Sequence, residues 1–112
     1  MKHIIAIIRP EKLDSVRNAL EKAGCTGLMI SEVSGHGKQK GIVQQWRGEK
    51  FKVDLIPKIK LELVVSDSAL PIIKKAIIES ARTGEIGDGK IFVSDVSEVI
   101  RIRTGEEGEP AL

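Results

Sequence analysis

Residues 4–10 read Ile-Ile-Ala-Ile-Ile-Arg-Pro, and this stretch decides the fold. Its five apolar residues are mostly β-branched, which predicts a buried strand, and the proline favours an end to that strand at Arg9. Pro10 suits the first turn of a helix, and Gly24 suits the end of one. The apolar stripe of this helix consists of Leu13, Val16, Leu20 and Ala23. The chain therefore opens with a strand and a helix that packs on it.

Two further strands are predicted before the second helix. Met29, Ile30 and Val33 mark a strand that ends at Gly35 and Gly37. The next strand begins at residue 58 and alternates, so that one face is apolar and the other is mostly charged. The apolar face consists of Ile59, Leu61, Leu63 and Val65, and the opposite face of Lys58, Lys60, Glu62 and Val64.

The second helix is predicted to begin after residue 65. Ser66, Asp67 and Ser68 offer side-chain oxygens for its first N–H groups, and Pro71 lies in its first turn. Its buried stripe consists of Ile73, Ala76, Ile77 and Ala81. A glycine-rich turn at 82–90 follows, and then a short strand at 91–93, in which we assign Phe92 to the core.

The end of the chain predicts one more short strand. Residues 100–103 alternate between isoleucine and arginine, and residues 105–112 are expected to form a mobile tail. The order βαββαβ predicts an α+β, ferredoxin-like fold in a single domain over residues 1–112. Because the first strand is apolar on both faces and two helices cover only one face of the sheet, we expect the chain to self-associate.

Residues 38–55 break the pattern, since they show no sustained period of either kind. A loop of this length in a compact domain is usually either functional or disordered. The stretch begins within a glycine-rich cluster, Gly35-His36-Gly37-Lys38-Gln39-Lys40-Gly41. That cluster alone is also typical of a flexible hairpin.

Composition narrows the class of protein. The chain has 112 residues and a formal charge of +2, which is a small basic excess for a nucleic-acid binder. Its three aromatic residues, Trp46, Phe51 and Phe92, offer little for base stacking. Cys25 is the only cysteine, so no internal disulfide forms, and no apolar run has the length of a membrane span. We therefore expect a soluble cytoplasmic protein that binds no nucleic acid and does not insert into a membrane.

The glycine-rich turn is the first candidate site. Gly84-x4-Gly89-Lys90 matches the start of a phosphate-binding P-loop, but Ile91 replaces the hydroxyl residue, and a strand replaces the helix that should follow. Glycines in such a turn allow backbone N–H groups to converge on an anion, with a lysine beside them. An ordinary turn that needs positive φ at its glycines is the alternative reading.

Two arginines near the end of the chain are the second candidate. Arg101 and Arg103 lie two residues apart on the predicted strand, so both side chains leave the same face. Together with Lys90 they would fit a di- or triphosphate, whereas a solvated charged edge is the alternative. Catalytic groupings are scarce, because His3 and His36 are the only histidines and no zinc spacing is present. A slow ATPase or phosphotransferase on the same scaffold remains an alternative class.

These segments together resemble the PII nitrogen-regulatory signal proteins of the GlnB/GlnK type over nearly the whole length. The resemblance is carried by Ile7 to Leu13, Gly37-Lys38-Gln39-Lys40-Gly41, Arg47-Gly48, residues 53–58, residues 83–93 and Val99 to Gly105. It implies a non-enzymatic homotrimer that binds ATP or ADP competitively in clefts between subunits. The residues implied at the nucleotide are Ile7, Met29, Gly35, Gly37, Lys38, Gln39, Glu62, Val64, Gly87, Asp88, Gly89, Lys90, Arg101 and Arg103. Lys38 stands where the family usually has arginine, which removes a bidentate contact.

The same resemblance makes residues 37–55 the partner-binding T-loop. It implies that 2-oxoglutarate binds at Gln39, Lys40, Gly41 and Lys58, with Mg²⁺ held by Gln39 together with the ATP phosphates. It implies partner contacts through Gln44, Trp46, Arg47 and Phe51. The expected partner is an ammonium transporter, which would bring the cytoplasmic protein to a membrane; glutamine synthetase or another nitrogen enzyme is the alternative. Phe51 replaces a tyrosine that many members modify with a nucleotide, so no such modification is expected.

Overall fold

A computed structural model describes residues 1–36, 42–46, 49–53 and 55–112, with the backbone alone described for 42–46 and 49–53. Six strands and two helices occur in this part of the chain. The strands are β1 (Lys2–Ile8), β2 (Met29–His36), β3 (Ile42–Trp46), β4 (Glu49–Val53), β5 (Leu55–Val65) and β6 (Lys90–Asp95). The helices are α1 (Leu13–Lys22) and α2 (Leu70–Ala81), and each follows a single 3-10 turn.

The main sheet is antiparallel and has the order β2-β5-β1-β6. β1 lies in its centre, where it pairs with β5 from Lys2 opposite Val65 to Ile8 opposite Ile59, and with β6 from Lys2 opposite Asp95 to Ile7 opposite Lys90. With the two helices, this sheet confirms the predicted ferredoxin-like α+β fold.

The core lies between the helices and one face of the sheet. Its buried residues in β5 and the helices are among those that the alternation and the helical stripes predict: Ile59, Leu61, Leu63, Val65, Val16, Leu20, Ile73, Ile77 and Ala81. β1, which is apolar on both faces, contributes Ile4, Ala6 and Ile8. Each large aliphatic side chain buried here stabilises the fold by about 1.5–3 kcal/mol through the area removed from water. Helix α1 ends on the predicted glycine, because Gly24 has φ 86°.

The opposite face of the main sheet is covered by neither helix. The strand register places Ile5, Ile7, Glu62 and Phe92 on it, and Ile5 and Ile7 are half-buried. Phe92 is 53% exposed, so its assignment to the core is wrong. Its register opposite Ile5 turns the ring to the open face, while the adjacent Ile91 packs against the core. We call this surface the open face.

The segment that lacks a sequence period contains regular backbone. β3 and β4 pair antiparallel as a separate two-stranded sheet, from Ile42 opposite Val53 to Trp46 opposite Glu49. β5 also begins at Leu55, three residues before the predicted start. The interpretation of residues 38–55 as irregular throughout is therefore wrong. A two-stranded ribbon outside the core has no need of the apolar alternation by which strands are recognised.

The predicted short strand at 100–103 is absent, and the chain turns there instead. Ile100 forms one isolated bridge with Glu107, and residues 102–104 are turn. The reversal follows from Gly105 at φ 74°, whose N–H donates to the Arg101 carbonyl at 2.7 Å. Arg101 and Arg103 therefore do not share a strand face. The tail folds back as the 3-10 turn Glu109–Ala111, and its mobility stays a prediction.

The start of α2 differs from the expected capping. Pro71 lies in the first turn as predicted, but no side chain caps either the helix or the 3-10 turn before it. The Ser66 hydroxyl instead lies 3.2 Å from that of Ser68. Among the described residues, neither helix is long and apolar enough to cross a membrane.

Candidate functional site

A cavity of about 650 Å³ lies at one end of the open face. This volume falls within the range of small-molecule pockets, roughly 300–1,000 Å³. Its apolar lining comes from Ile7, Ile56 and Phe92, and its charged lining includes Lys58 and Lys90. Gly35 and His36 close one side, and residues 85–89 of the glycine turn close the other. The cavity thus combines an apolar floor with two lysines, and Glu85 and Asp88 of the turn also line it.

The glycine turn has the backbone that its glycines allow. Gly84, Gly87 and Gly89 have φ values of 90°, 105° and 97°, a region that other residues rarely adopt. Gly89 is required for a second reason: a Cβ at this position would lie 1.7 Å from the backbone oxygen of Ile7. The turn is therefore pressed directly against β1.

The Asp88 carboxylate organises this turn. Its Oδ2 accepts hydrogen bonds from the N–H groups of Thr83 (2.9 Å) and Gly84 (2.8 Å). Its Oδ1 accepts from the Thr83 hydroxyl (2.5 Å) and from Nε of Arg9 (3.1 Å). These donors, the Thr83 hydroxyl above all, hold the pKa of Asp88 well below its ordinary value, so the group is ionised at neutral pH.

Two basic residues of the sheet bind the carbonyls of the turn. Arg9, just after β1, donates from Nη2 to the Ile86 carbonyl at 2.8 Å. Lys58 of β5 is half-buried, and its Nζ donates to the Gly87 carbonyl at 2.6 Å. Lys90, at the start of β6, is exposed, and no hydrogen bond or ion pair of its ammonium group occurs among the described residues. Lys58 and Lys90 are therefore the two lysines that line this cavity in the described part of the chain.

The structure brings together six of the fourteen residues predicted at the nucleotide. Those that line the cavity are Ile7, Gly35, Gly87, Asp88, Gly89 and Lys90, and Lys58 joins them from the predicted 2-oxoglutarate set. Gly37, Lys38, Gln39, Lys40, Gly41 and Arg47 lie outside the described residues. Gln44, Trp46 and Phe51 belong to β3 and β4, where the backbone alone is described.

The remaining predicted residues do not line the cavity within one chain. Met29, Glu62 and Val64 lie further along the open face, where Met29 is opposite Glu62 in the register. Glu62 contacts Lys60 at 3.1 Å and His3 at 3.0 Å, which lowers the pKa of its carboxyl group. These three residues share the open face with the cavity but are not among the residues that line it.

Arg101 is held by the end of its own chain. Its Nη1 donates to the Glu106 carboxylate at 2.9 Å, and its Nη2 donates to the Pro110 carbonyl at 2.9 Å. Neither Arg101 nor Arg103 lines the cavity. The predicted meeting of Arg101, Arg103 and Lys90 is therefore not formed within one chain.

Several residues of the site were not predicted: Arg9 and Thr83, which hold the turn, and His36, Ile56, Glu85, Ile86 and Phe92, which line the cavity. Arg9 marks the end of a strand and belongs to the segment Ile7 to Leu13 that carries the resemblance, but its contact with Asp88 spans 79 positions, so no local pattern signals it. Thr83 carried a usable signal, because a threonine followed closely by aspartate in a glycine turn is typical of side-chain-to-backbone bonding.

The fold and the cavity define a class: a small ferredoxin-like α+β protein with a glycine turn beside a partly apolar, lysine-lined cavity. The family model described as Nitrogen regulatory protein P-II matches residues 1–106. The Nitrogen regulatory protein P-II 2 of Methanothermobacter thermautotrophicus is 55% identical over 112 residues, which cover all of this chain and 97% of that protein.

Bacterial relatives give the same picture. Nitrogen regulatory protein P-II of Pasteurella multocida and Nitrogen regulatory protein P-II 1 of Escherichia coli K12 are each 54% identical over the full length of both chains. The chain therefore belongs to the nitrogen regulatory protein P-II family. These relatives bear the names of regulatory proteins, not of enzymes.

Proposed function

We propose that this protein senses ATP, ADP and 2-oxoglutarate and passes the signal to a partner through residues 37–55, most directly to an ammonium transporter. The observation that carries the proposal is the cavity on the open face, where a glycine turn meets Lys58 and Lys90. The regulatory class of the family provides the context.

Nucleotide binding is supported by the two halves of the cavity. Ile7, Ile56 and Phe92 offer an apolar surface for a base, and the turn with Lys90 offers backbone donors and a positive charge for phosphates. Asp88 does not oppose an anion here, because four donors already compensate its carboxylate. We propose that Arg101, Arg103 and the open-face residues Met29, Glu62 and Val64 join the site in a homotrimer.

The effector part of the proposal concerns Lys58. Its ammonium group faces the cavity and can exchange the Gly87 carbonyl for a carboxylate of 2-oxoglutarate. Gln39 would hold Mg²⁺, which together with the nucleotide would supply a positively charged template for the keto acid. Ligand binding at Lys58 would then alter the root of the segment 37–55 and shift its populations.

Calorimetry tests the proposal directly. We expect saturable binding of ADP and of Mg-ATP, and binding of 2-oxoglutarate only when Mg-ATP is present. The variant Lys58→Ala should abolish the keto-acid heat and keep ADP binding, whereas Lys22→Ala, at the exposed end of α1, should keep both. If millimolar ADP and ATP give no heat with the wild-type protein, the proposed function is wrong.

A binding experiment tests the partner. Purified ammonium transporter should capture the protein in a nucleotide-dependent way, and Arg47→Ala should lose this capture while Arg17→Ala, on the exposed side of α1, retains it. Capture by glutamine synthetase in place of the transporter would support the alternative partner. Sustained ATP turnover by the purified protein would instead support the ATPase class.

A further inference from the structure

We propose that Arg9 and Asp88 are positioning residues of the phosphate-binding turn, and that the Asp88 carboxylate acts by shaping the turn and not by contacting the nucleotide. The proposal rests on the nucleotide binding proposed above. It differs from the resemblance, which places Asp88 among the nucleotide-binding residues, because it assigns the side chain a separate task.

The Asp88 carboxylate already accepts as many hydrogen bonds as its two oxygens can take. An ionised carboxylate offers about four acceptor sites on its two oxygens. Oδ1 of Asp88 accepts from the Thr83 hydroxyl and Arg9, and Oδ2 accepts from the N–H groups of Thr83 and Gly84. No acceptor site is left for a ligand or for a magnesium ion. Everything that Asp88 binds belongs to the turn or to the end of β1.

Arg9 binds the turn directly from the end of β1. Its guanidinium group contacts the turn at two points, with Nε on Asp88 and Nη2 on the Ile86 carbonyl. The side chain is 19% exposed and that of Asp88 is 24% exposed, so the pair is partly screened from water. A fork of this kind fixes an orientation as well as a distance, which a lysine at the same position cannot do.

Together these contacts leave the turn little freedom. Gly89 is pressed against the Ile7 carbonyl, Arg9 binds the turn at 86 and 88, and Lys58 binds it at 87. Donors that are arranged before an anion arrives need no ordering when it binds, and this favours affinity. The network therefore sets the position of the N–H groups that we propose for the phosphates.

For Asp88→Asn, an electrostatic role and a positioning role of the carboxylate predict opposite changes in ADP affinity. Asp88→Asn removes a negative charge beside an anion site, so a purely electrostatic role predicts tighter ADP binding. It also replaces two acceptor oxygens by one oxygen and one donor, so a positioning role predicts weaker binding. Arg9→Lys keeps the positive charge and loses the fork, and a positioning role again predicts weaker binding.

The test is calorimetry of the full-length protein with ADP. We expect Asp88→Asn and Arg9→Lys each to weaken ADP binding by roughly tenfold or more, since the hydrogen bonds that hold the turn in place are lost. Glu11→Gln removes an exposed charge outside both the cavity and the network and should not weaken binding. Thr83→Ser keeps both hydroxyl bonds and should bind as the wild type does, whereas Thr83→Val should weaken binding.

The outcomes separate this inference from the proposed function. Failure of the wild type to bind ADP overturns the function. Wild-type binding combined with equal or tighter binding by Asp88→Asn and Arg9→Lys overturns the inference alone. If Asp88→Asn does not fold, as judged by circular dichroism, Arg9→Lys and the Thr83→Ser and Thr83→Val pair decide the question.

Discussion

Two turns of this protein share a sequence pattern and differ in what surrounds them. Residues 83–88 read Thr-Gly-Glu-Ile-Gly-Asp, and residues 104–109 read Thr-Gly-Glu-Glu-Gly-Glu. In both, the threonine hydroxyl accepts a hydrogen bond from the N–H two residues later, at 3.1 Å and 3.2 Å. Both glycines of each pattern have positive φ. The shared letters therefore produce the same threonine contact and the same positive-φ glycines twice.

The acid at the sixth position separates the two turns. Asp88 reaches back to Thr83 and Gly84 and is joined by Arg9 from β1. Glu109 starts a 3-10 turn, and its side chain makes no hydrogen bond within the described part of the chain. The second turn is held instead by Arg101 and Glu106, both about half-exposed. The short side chain of Asp88 and its contact with the distant Arg9 join the first turn to the end of β1. The second turn remains on the surface.

The largest expected difference between the two turns is in the stability lost when a glycine is replaced by alanine. Gly89→Ala places a Cβ 1.7 Å from the Ile7 oxygen and should cost about 3 kcal/mol or more of the free energy of unfolding. Gly105→Ala, at φ 74° with nothing within 4 Å of the new Cβ, should cost only about 1 kcal/mol. Urea denaturation followed by circular dichroism measures both. Equal losses would mean that the first turn is not pressed against β1.

The second-largest expected difference is in how strongly low pH destabilises the first turn. The pKa of Asp88 is lower in the folded protein than its ordinary value of 3.8, so its stabilising contribution is complete above about pH 5. That contribution is lost as the pH falls below about 4 toward the folded pKa. The free energy of unfolding should therefore fall more steeply with acid in the wild type than in Asp88→Asn. Parallel acid profiles of the two proteins would contradict the assigned network.

The smallest difference concerns the matched threonines. Thr83→Val removes a hydroxyl that both accepts from Glu85 and donates to Asp88, and it should cost about 1–2 kcal/mol. Thr104→Val removes only the bond from the Glu106 N–H on an exposed surface and should cost roughly 0.5 kcal/mol. Thermal unfolding of the two variants compares them. A larger loss at Thr104 would reverse the ranking of the two turns.

Much of the fold follows from local pattern. The stretch 4–10 and the alternation at 59–65 predict the central strands, and the helical stripes predict every buried residue of α1 and α2. Phe92 was misplaced because alternation identifies two faces without saying which one the helices cover. Residues 100–103 were misplaced because turn chemistry at Thr104 and Gly105 overrides the alternation before them.

The site is harder to predict from the sequence than the fold is. The glycine turn is visible as a motif, and Lys58 was assigned through the family resemblance. The contact of Lys58 with Gly87 spans 29 positions, and that of Arg9 with Asp88 spans 79. Such contacts depend on which strand ends meet at one edge of the sheet, and no periodicity in the chain records this. They become visible only once the strand order β2-β5-β1-β6 is known.

The separate hairpin of β3 and β4 also has a spectroscopic consequence. The chain has one tryptophan, Trp46, at the end of β3, and it has no tyrosine. Emission excited at the red edge of indole absorption therefore comes from the hairpin alone, while the core of the main sheet and the helices contribute none. The unlabelled wild-type protein thus carries a single-site optical reporter in the segment that we propose for partner binding. Titrations with ADP, Mg-ATP and 2-oxoglutarate can follow that segment without any engineered probe.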